Sequence, residues 1–390
     1  MDMTYAGTRR IIDVDSHLIE LENFLFDTAS ADEKAMLPSM LDQQPVIQKR
    51  DRLELGREQF LARQGDAALT AEYEAQILDN SKVGWGRLGA FDPVERSRAI
   101  DLFGYEIQLV LATFTFHQFY NDPDPAVREA GARALNRAMG NFCRNDPRMR
   151  AVGYVPLGLG PDKAIDIIDA GLADGCFTFA VDTNESNAEG RSFTHADFDR
   201  VWAKFVSHRM PVVSHVALNG HYDPVSPSFR NNGRVFHEIG DDAPAGEIGV
   251  MAIANSVQLF LGAMIYDGVF ARHPALRVIS MEQGCLWLPG WLRMIDFTAN
   301  VFKRLRPFEE MPSITAKRHI KVAPFAGEPV GWVIEQIGPE MLVYASDYPH
   351  PEGSGDPIGK FEETMTNCDQ STIDAFYYNN MAEVLHLSDS

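Results

Sequence analysis

One pattern constrains this chain more than any other. From residue 92 onward, short apolar runs rich in Val, Ile and Leu alternate with helix-favouring stretches. The runs fall at 107–111, 151–156, 177–181, 211–216 and 276–282, with a weaker one at 319–322. A further run opens the chain at 9–18, and a last one covers 341–347. Helical periodicity fills the intervals at 94–103, 124–145, 161–173, 196–208, 248–272, 286–305 and 361–387. Continuously apolar strands separated by helices build parallel sheets with both faces covered. Eight such units predict an α/β chain folded as a (β/α)8 TIM barrel, with an open doubly wound sheet as the alternative. No GxGxxG opens a helix and no Walker motif is present, which weighs against the open sheet. The stretch of about 20–95 is polar and helix-favouring, without a sheet pattern. It reads as a helical insertion after the first strand: a lid, an oligomer contact or surface decoration. Residues 1–390 are thus expected to form a single barrel domain.

Composition narrows the partners. The net charge is -20 and the pI about 4.9, which argues against nucleic acid and anionic membranes. The apolar stretch 248–272 is interrupted by Gln258 and Asp267, so it reads as a buried wall helix and not a membrane span. The first residues have no apolar signal-type core, and Cys143, Cys176, Cys285 and Cys368 form no CxxC pair. A cytoplasmic protein acting on a small molecule is expected. The apolar 287–292 helix and the 20–95 stretch suggest a homodimer.

The chemistry is carried by polar residues on apolar strands. Asp13, Asp15 and His17 alternate on one face of the first strand. His215 ends the fifth, Glu282 the sixth and Asp347 the eighth. Barrel enzymes place catalytic groups at these C-terminal strand ends. A buried carboxylate there is costly unless paired, and imidazoles with carboxylates form divalent metal sites. Asp15, His17, His215 and Asp347 are the expected ligands, with Glu282 as a further ligand or second base. Asp347 is the candidate general base, and His350 a candidate acid or loop-orienting group. The fourth strand has no lysine, so no carboxylated lysine is available to bridge a second metal; one ion per chain is expected. Zinc is the first expectation. The oxygen-rich set keeps manganese and iron as alternatives. The Gly/Pro/Asn-rich loop 219–246 supplies His221, Tyr222, Arg230 and Arg234 as candidate substrate contacts.

Several of these pieces resemble the amidohydrolase superfamily, in the branch that includes aminocarboxymuconate-semialdehyde and gamma-resorcylate decarboxylases. They are Asp13-Val-Asp15-Ser-His17, Pro211-Val-Val-Ser-His215, His273-Pro274-Ala-Leu-Arg277-Val with Glu282-Gln-Gly284, Ser346-Asp347-Tyr-Pro-His350 and the terminal Asn380-Met-Ala-Glu-Val-Leu. The resemblance implies a (β/α)8 barrel with a single metal. It places the family's ligands on Asp15, His17, His215 and Asp347. Where the known decarboxylases carry a sixth-strand histidine, this chain has Glu282. The first expected activity is therefore hydrolysis of a small amide, ester or thioester by a metal-activated water. The alternative is non-oxidative decarboxylation of an aromatic or unsaturated acid, with Arg230 or Arg234 as carboxylate clamps. A third possibility is a binding protein on a barrel that has lost catalysis.

Overall fold

The computed structural model describes residues 4–79, 83–183, 190–218, 225–235 and 246–387. Seven strands form one parallel sheet in sequence order: β1 (Ile12–His17), β2 (Ile107–Leu111), β3 (Met149–Val155), β4 (Thr178–Val181), β5 (Val212–His215), β6 (Val278–Met281) and β7 (Ile320–Val322). Each next strand pairs parallel to the last. Parallel neighbours need crossovers, and helices supply them. Pro93–Phe103 leads into β2, Pro125–Cys143 joins β2 to β3 and Pro161–Asp174 joins β3 to β4. Local sequence starts and stops these helices. Asp92 accepts from the N–H groups of Val94 and Glu95, with Pro93 in the first turn. Gly104, at φ +75°, ends that helix in the left-handed conformation that glycine adopts without cost. Nearly every strand residue is buried, so the core lies between the sheet and its helices.

The segment expected as an eighth regular strand is not one. Residues 341–348 make only isolated parallel bridges, Leu342 with Val322 and Tyr348 with Ser16. They still connect the two sheet edges. On one side, Val343 N donates to Val322 O at 3.1 Å and Val322 N to Met341 O at 2.7 Å. On the other, Val14 N donates to Tyr344 O at 3.1 Å, Asp347 N to Asp15 O at 2.9 Å and His17 N to Tyr348 O at 2.7 Å. Two local causes break the ladder. The Ser346 N–H is taken by the Asp13 carboxylate at 2.9 Å, and Asp347 sits at φ +55°. The result is a TIM-like α/β fold of seven strands plus a bridging segment.

The stretch before β2 holds helices Ala31–Met36, Gln44–Gln48, Arg50–Arg63 and Ala67–Leu78. Its last turn docks on the mouth of the sheet: Ile19 N donates to Ala90 O at 2.7 Å, Gly84 N to Pro349 O at 2.8 Å and Tyr348 Oη to Leu88 O at 2.6 Å. The apolar stretch read as one wall helix is three: Gly246–Met251, Asn255–Tyr266 and Val269–Arg272. Gly268, at φ +76°, ends the second run. By length and composition alone Gly246–Tyr266 could cross a membrane, but most of it is buried against the fold, as expected of a wall helix. On helix Leu288–Phe302, Trp291 and Leu292 face inward, while Met294, Phe297 and Val301 are exposed.

Candidate metal centre

The ends of β1, β5 and β6 and the bridging segment converge. Asp15, His17, His215 and Glu282 each bring one ligand atom within 4.8 Å of the others, and His17, Glu282, Asp347 and His350 form an overlapping group. All but Asp347 are buried. Within the first group, His17 Nε2–Asp15 Oδ1 is 3.3 Å, His215 Nε2–Glu282 Oε2 is 3.3 Å and His215 Nε2–Asp15 Oδ1 is 3.5 Å. His17 Nε2 lies 3.8 Å from Asp347 Oδ1.

The tautomers make these contacts repulsive unless a cation sits among them. His17 Nδ1 lies 3.3 Å from the carbonyl of Ala112, and His215 Nδ1 lies 2.9 Å from that of Val216. A carbonyl only accepts, so both rings carry a proton on Nδ1. In the neutral rings each Nε2 then presents a lone pair to carboxylate oxygens. Burial first, then the facing His350, pushes the His17 ring down to about 4, so it is neutral near pH 7. Asp15 Oδ1, His17 Nε2 and Asp347 Oδ1 are buried and make no hydrogen bond. Buried polar atoms are nearly always satisfied, so an orphaned set of acceptors needs a cation. Ligands at about 2.1 Å from one ion lie roughly 3.0–3.5 Å apart, the spacing seen here. The donor set therefore fits a divalent metal, and the carbonyls behind the imidazoles fix ring orientation as metal-ligating histidines require.

Electrostatics separates the carboxyls. Burial works to raise Asp15, but His215 and His17 outweigh it and hold that group below its ordinary 3.8. Burial pushes Asp347 up to about 8, opposed by His350 and reinforced by Glu352 and Asp15. Asp13 is pushed up to about 7 by burial, against the hydrogen bonds from Ser346 and Gln108. Its carboxylate accepts from Ser346 N, Ser346 Oγ at 2.6 Å and Gln108 Nε2 at 2.8 Å, which fastens the Asp347 segment to β1. Glu282 and Asp347 both have left-handed backbones, at φ +52° and +55°. Each costs of order 1 kcal/mol for a residue with a Cβ. That strain turns both carboxyls from the strand ends into the centre.

Two glutamates build the rim, Glu20 buried and Glu328 half-buried. Glu20, fully buried, accepts from the backbone N–H groups of Thr113, Phe114 and Thr115, each at 3.0 Å, and from Thr115 Oγ1 at 2.8 Å. Glu328 accepts from Cys285 N at 2.9 Å, Leu286 N at 3.1 Å and Phe325 N at 2.8 Å. It crowds Gly284 so closely that a Cβ there would lie 2.8 Å from its Oε1. A cavity of about 230 Å³ opens onto the candidate metal ligands. Asp15, Glu282 and Asp347 form its floor, and Val250, Ile253 and Phe325 form an apolar wall. Among the described residues, none lining it is cationic.

All six metal or catalytic candidates from the sequence thus come together: Asp15, His17, His215, Glu282, Asp347 and His350. His221 and Tyr222 lie outside the described residues. The backbone of Arg230 ends the short helix Pro227–Arg230. Arg234 is exposed and pairs with Glu247 at 3.1 Å. Sequence reasoning missed Glu20, Thr113 and Glu328. An acid three positions past His17 was the only available signal for Glu20.

The family model described as Amidohydrolase matches residues 12–387. The chain belongs to the amidohydrolase family. No curated protein matches its sequence. Solved structures share the fold at low identity. An amidohydrolase from Mycobacterium avium subsp. paratuberculosis K-10 is 18% identical over 98% of this chain and 99% of that one, with a TM-score of 0.72. A 5-carboxyvanillate decarboxylase from Novosphingobium aromaticivorans DSM 12444, complexed with manganese and 4-hydroxy-3-methoxy-5-nitrobenzoic acid, is 17% identical over 97% of each chain, with a TM-score of 0.61. A dihydroxybenzoic acid decarboxylase from Polaromonas sp. JS666, with manganese and 2-nitroresorcinol, is 14% identical over 98% of each chain, with a TM-score of 0.63.

Proposed function

We propose that this amidohydrolase-family enzyme is a metal-dependent, non-oxidative decarboxylase of a hydroxylated aromatic acid. The observation that carries this is the cavity: an apolar wall sized for a ring, facing a floor formed by the carboxyls of Asp15, Glu282 and Asp347, beside which His17 and His215 complete the candidate ligand set. No cation lines it among the described residues. An anionic substrate therefore depends on the metal for attraction, which suits an acid whose carboxylate and neighbouring oxygen point at the floor. The decarboxylases of like fold that hold manganese and ring-bearing phenols support the choice over hydrolysis and favour manganese over zinc.

Asp15, His17, His215 and Asp347 would hold the ion, with Glu282 at the same centre. A bound divalent cation supplies positive charge that offsets these carboxylates and draws electron density from the acid. The chain does the rest. Val250, Ile253 and Phe325 pack the ring and exclude water. Asp347 delivers a proton to the ring carbon that bears the carboxylate. That carbon–carboxylate bond then breaks, its electron pair returning to the ring, and carbon dioxide leaves. The carboxylate and one proton become the arene and carbon dioxide. Free cysteines and the exposed Met294, Phe297 and Val301 support a cytoplasmic homodimer.

The test is a screen of the manganese- and zinc-loaded protein against hydroxybenzoic acids, 2,6-dihydroxybenzoate and 5-carboxyvanillate among them, and against esters, thioesters and amides. Carbon dioxide release with loss of the aryl acid is the expected result. Turnover of an ester, thioester or amide without carbon dioxide would overturn it in favour of the hydrolase first expected from the sequence.

A further inference from the structure

Two arginines are buried among the described residues, and they are held differently. Arg63 pairs with Glu95 at 2.7 Å and donates to the carbonyls of Gly86 and Arg87. Arg96, on the helix Pro93–Phe103, makes no ion pair with a described residue and gives its protons to uncharged oxygens. Its Nε donates to Gly89 O at 2.8 Å, one terminal nitrogen to His17 O and the other to Gln108 Oε1 at 3.4 Å. Its guanidinium carbon lies 5.1 Å from the centre of the Tyr348 ring. A guanidinium stays charged in proteins, and burying one away from any carboxylate is costly. This one sits where four segments meet: the end of β1, the turn at 84–91, β2 and the bridging segment.

We propose that Arg96 is a positioning residue for the candidate metal centre, holding the ligands His17 and Asp347 through separate routes. The first route is direct. Arg96 donates to the carbonyl of His17 itself, and the N–H of the same residue donates to Tyr348 O at 2.7 Å, so the His17 backbone is held from both sides. The second route runs through Gln108. An arginine only donates, so the amide oxygen of Gln108 must face Arg96. Its NH2 group is then turned to Asp13, whose Oδ2 it meets at 2.8 Å. Asp13 in turn accepts from Ser346 N and Oγ, one residue before Asp347. The ring of Tyr348, one residue after Asp347, lies over the guanidinium, a contact that favours a cation. Asp347 is thus bracketed by two neighbours that Arg96 orders. A left-handed backbone such as its φ of +55° persists only where the surroundings hold it. Neither route depends on which reaction the centre performs. Arg63 supplies the contrast, because it anchors the same 84–91 turn and hydrogen-bonds to neither ligand-bearing segment.

The test reads the centre itself and needs no substrate. Cobalt-loaded protein reports ligand geometry in its visible absorption bands, and competition with a chelator gives the cobalt affinity. Arg96→Met keeps a long side chain but removes the donors. There the expected result is shifted bands and an affinity about 10-fold or more below wild type, the range for groups that orient metal ligands. Arg96→Lys, which keeps the charge but not the planar fork, falls between. Arg63→Met loses stability in urea yet keeps the wild-type bands and affinity. Wild-type bands and affinity in a folded Arg96→Met overturn the proposal. So does an Arg63→Met that shifts both as far as Arg96→Met, since that marks a general loosening of the fold. If Arg96→Met does not fold, Arg96→Lys and Gln108→Met decide. A lowered affinity in either supports the positioning role, and wild-type affinity in both overturns it.

Discussion

Removing the Glu20 carboxylate offers a sharp test of how the rim is held. In Glu20→Ala, three backbone N–H groups lose their acceptor: Thr113, Phe114 and Thr115. Each buried donor left unsatisfied costs about 1–3 kcal/mol. A second cavity, lined by Glu20, Glu22 and Arg57, lies on the outer side, so water can enter and hold each loss near the low end. The Thr115 hydroxyl can rotate to another partner. The sum is about 3 kcal/mol. Glu20→Gln behaves differently. All four donors reach Oε1, and only Phe114 N also reaches Oε2. An amide that keeps its oxygen in the Oε1 position retains most contacts and loses mainly the charge assistance, about 1 kcal/mol. Urea denaturation at fixed metal load gives both values. Thermal unfolding should move by roughly 3–6 °C for the alanine, since a longer chain shifts less per kcal/mol than a small domain. An alanine variant within about 0.5 kcal/mol of wild type would refute the claim that Glu20 satisfies these donors. So would equal losses in the two variants.

Elemental analysis of purified protein should find about one divalent metal per chain, with affinity lowered at least about 10-fold in Asp15→Ala and His215→Ala and unchanged in Arg234→Ala; equal metal content in all four proteins would sink the assigned centre. A separate pH effect comes from His319, whose ring is buried against Phe270 and donates to Leu276 O at 2.7 Å. Burial pushes it down to about 4 from an ordinary 6.5. Below pH 6.5 the unfolded chain takes up this proton and the folded one does not, so stability falls between pH 6.5 and about 4, by at most about 3 kcal/mol. His319→Gln should flatten the denaturation profile across that window in metal-free buffer, and an unchanged slope would count against the shift.

Much of this fold was visible in the chain because burial on both faces leaves a plain mark. The runs at 107–111, 177–181 and 211–216 are mostly apolar, and each became a strand within a residue or so of its expected bounds. The metal candidates were visible for the converse reason. Asp15, His17 and His215 are polar in places where the pattern demands apolar residues, and a buried charge needs a partner. Other features left no such mark. The bridging segment reads as a strand by composition, and only the capture of Ser346 N by Asp13 takes it out of the ladder. That capture is a contact between residues 333 positions apart. Glu20 lies at the start of a polar stretch where one more acid is unremarkable. Thr113 and Glu328 matter through which atoms they face, and residue type alone does not encode that. The wall-helix breaks near 252–254 and 268 were hidden because apolar periodicity runs straight through them.

The paired glutamates also bear on recombination. Each carboxylate sits in one strand-end loop and satisfies the backbone of a neighbouring one: Glu20 after β1 serves the turn after β2, and Glu328 after β7 serves the turn after β6. The loops around this mouth therefore do not behave as independent cassettes. A chimera with a crossover between residues 20 and 113, or between 286 and 328, would join a donor turn to a foreign acceptor. Loop grafts meant to change substrate choice should move each glutamate together with the turn it holds.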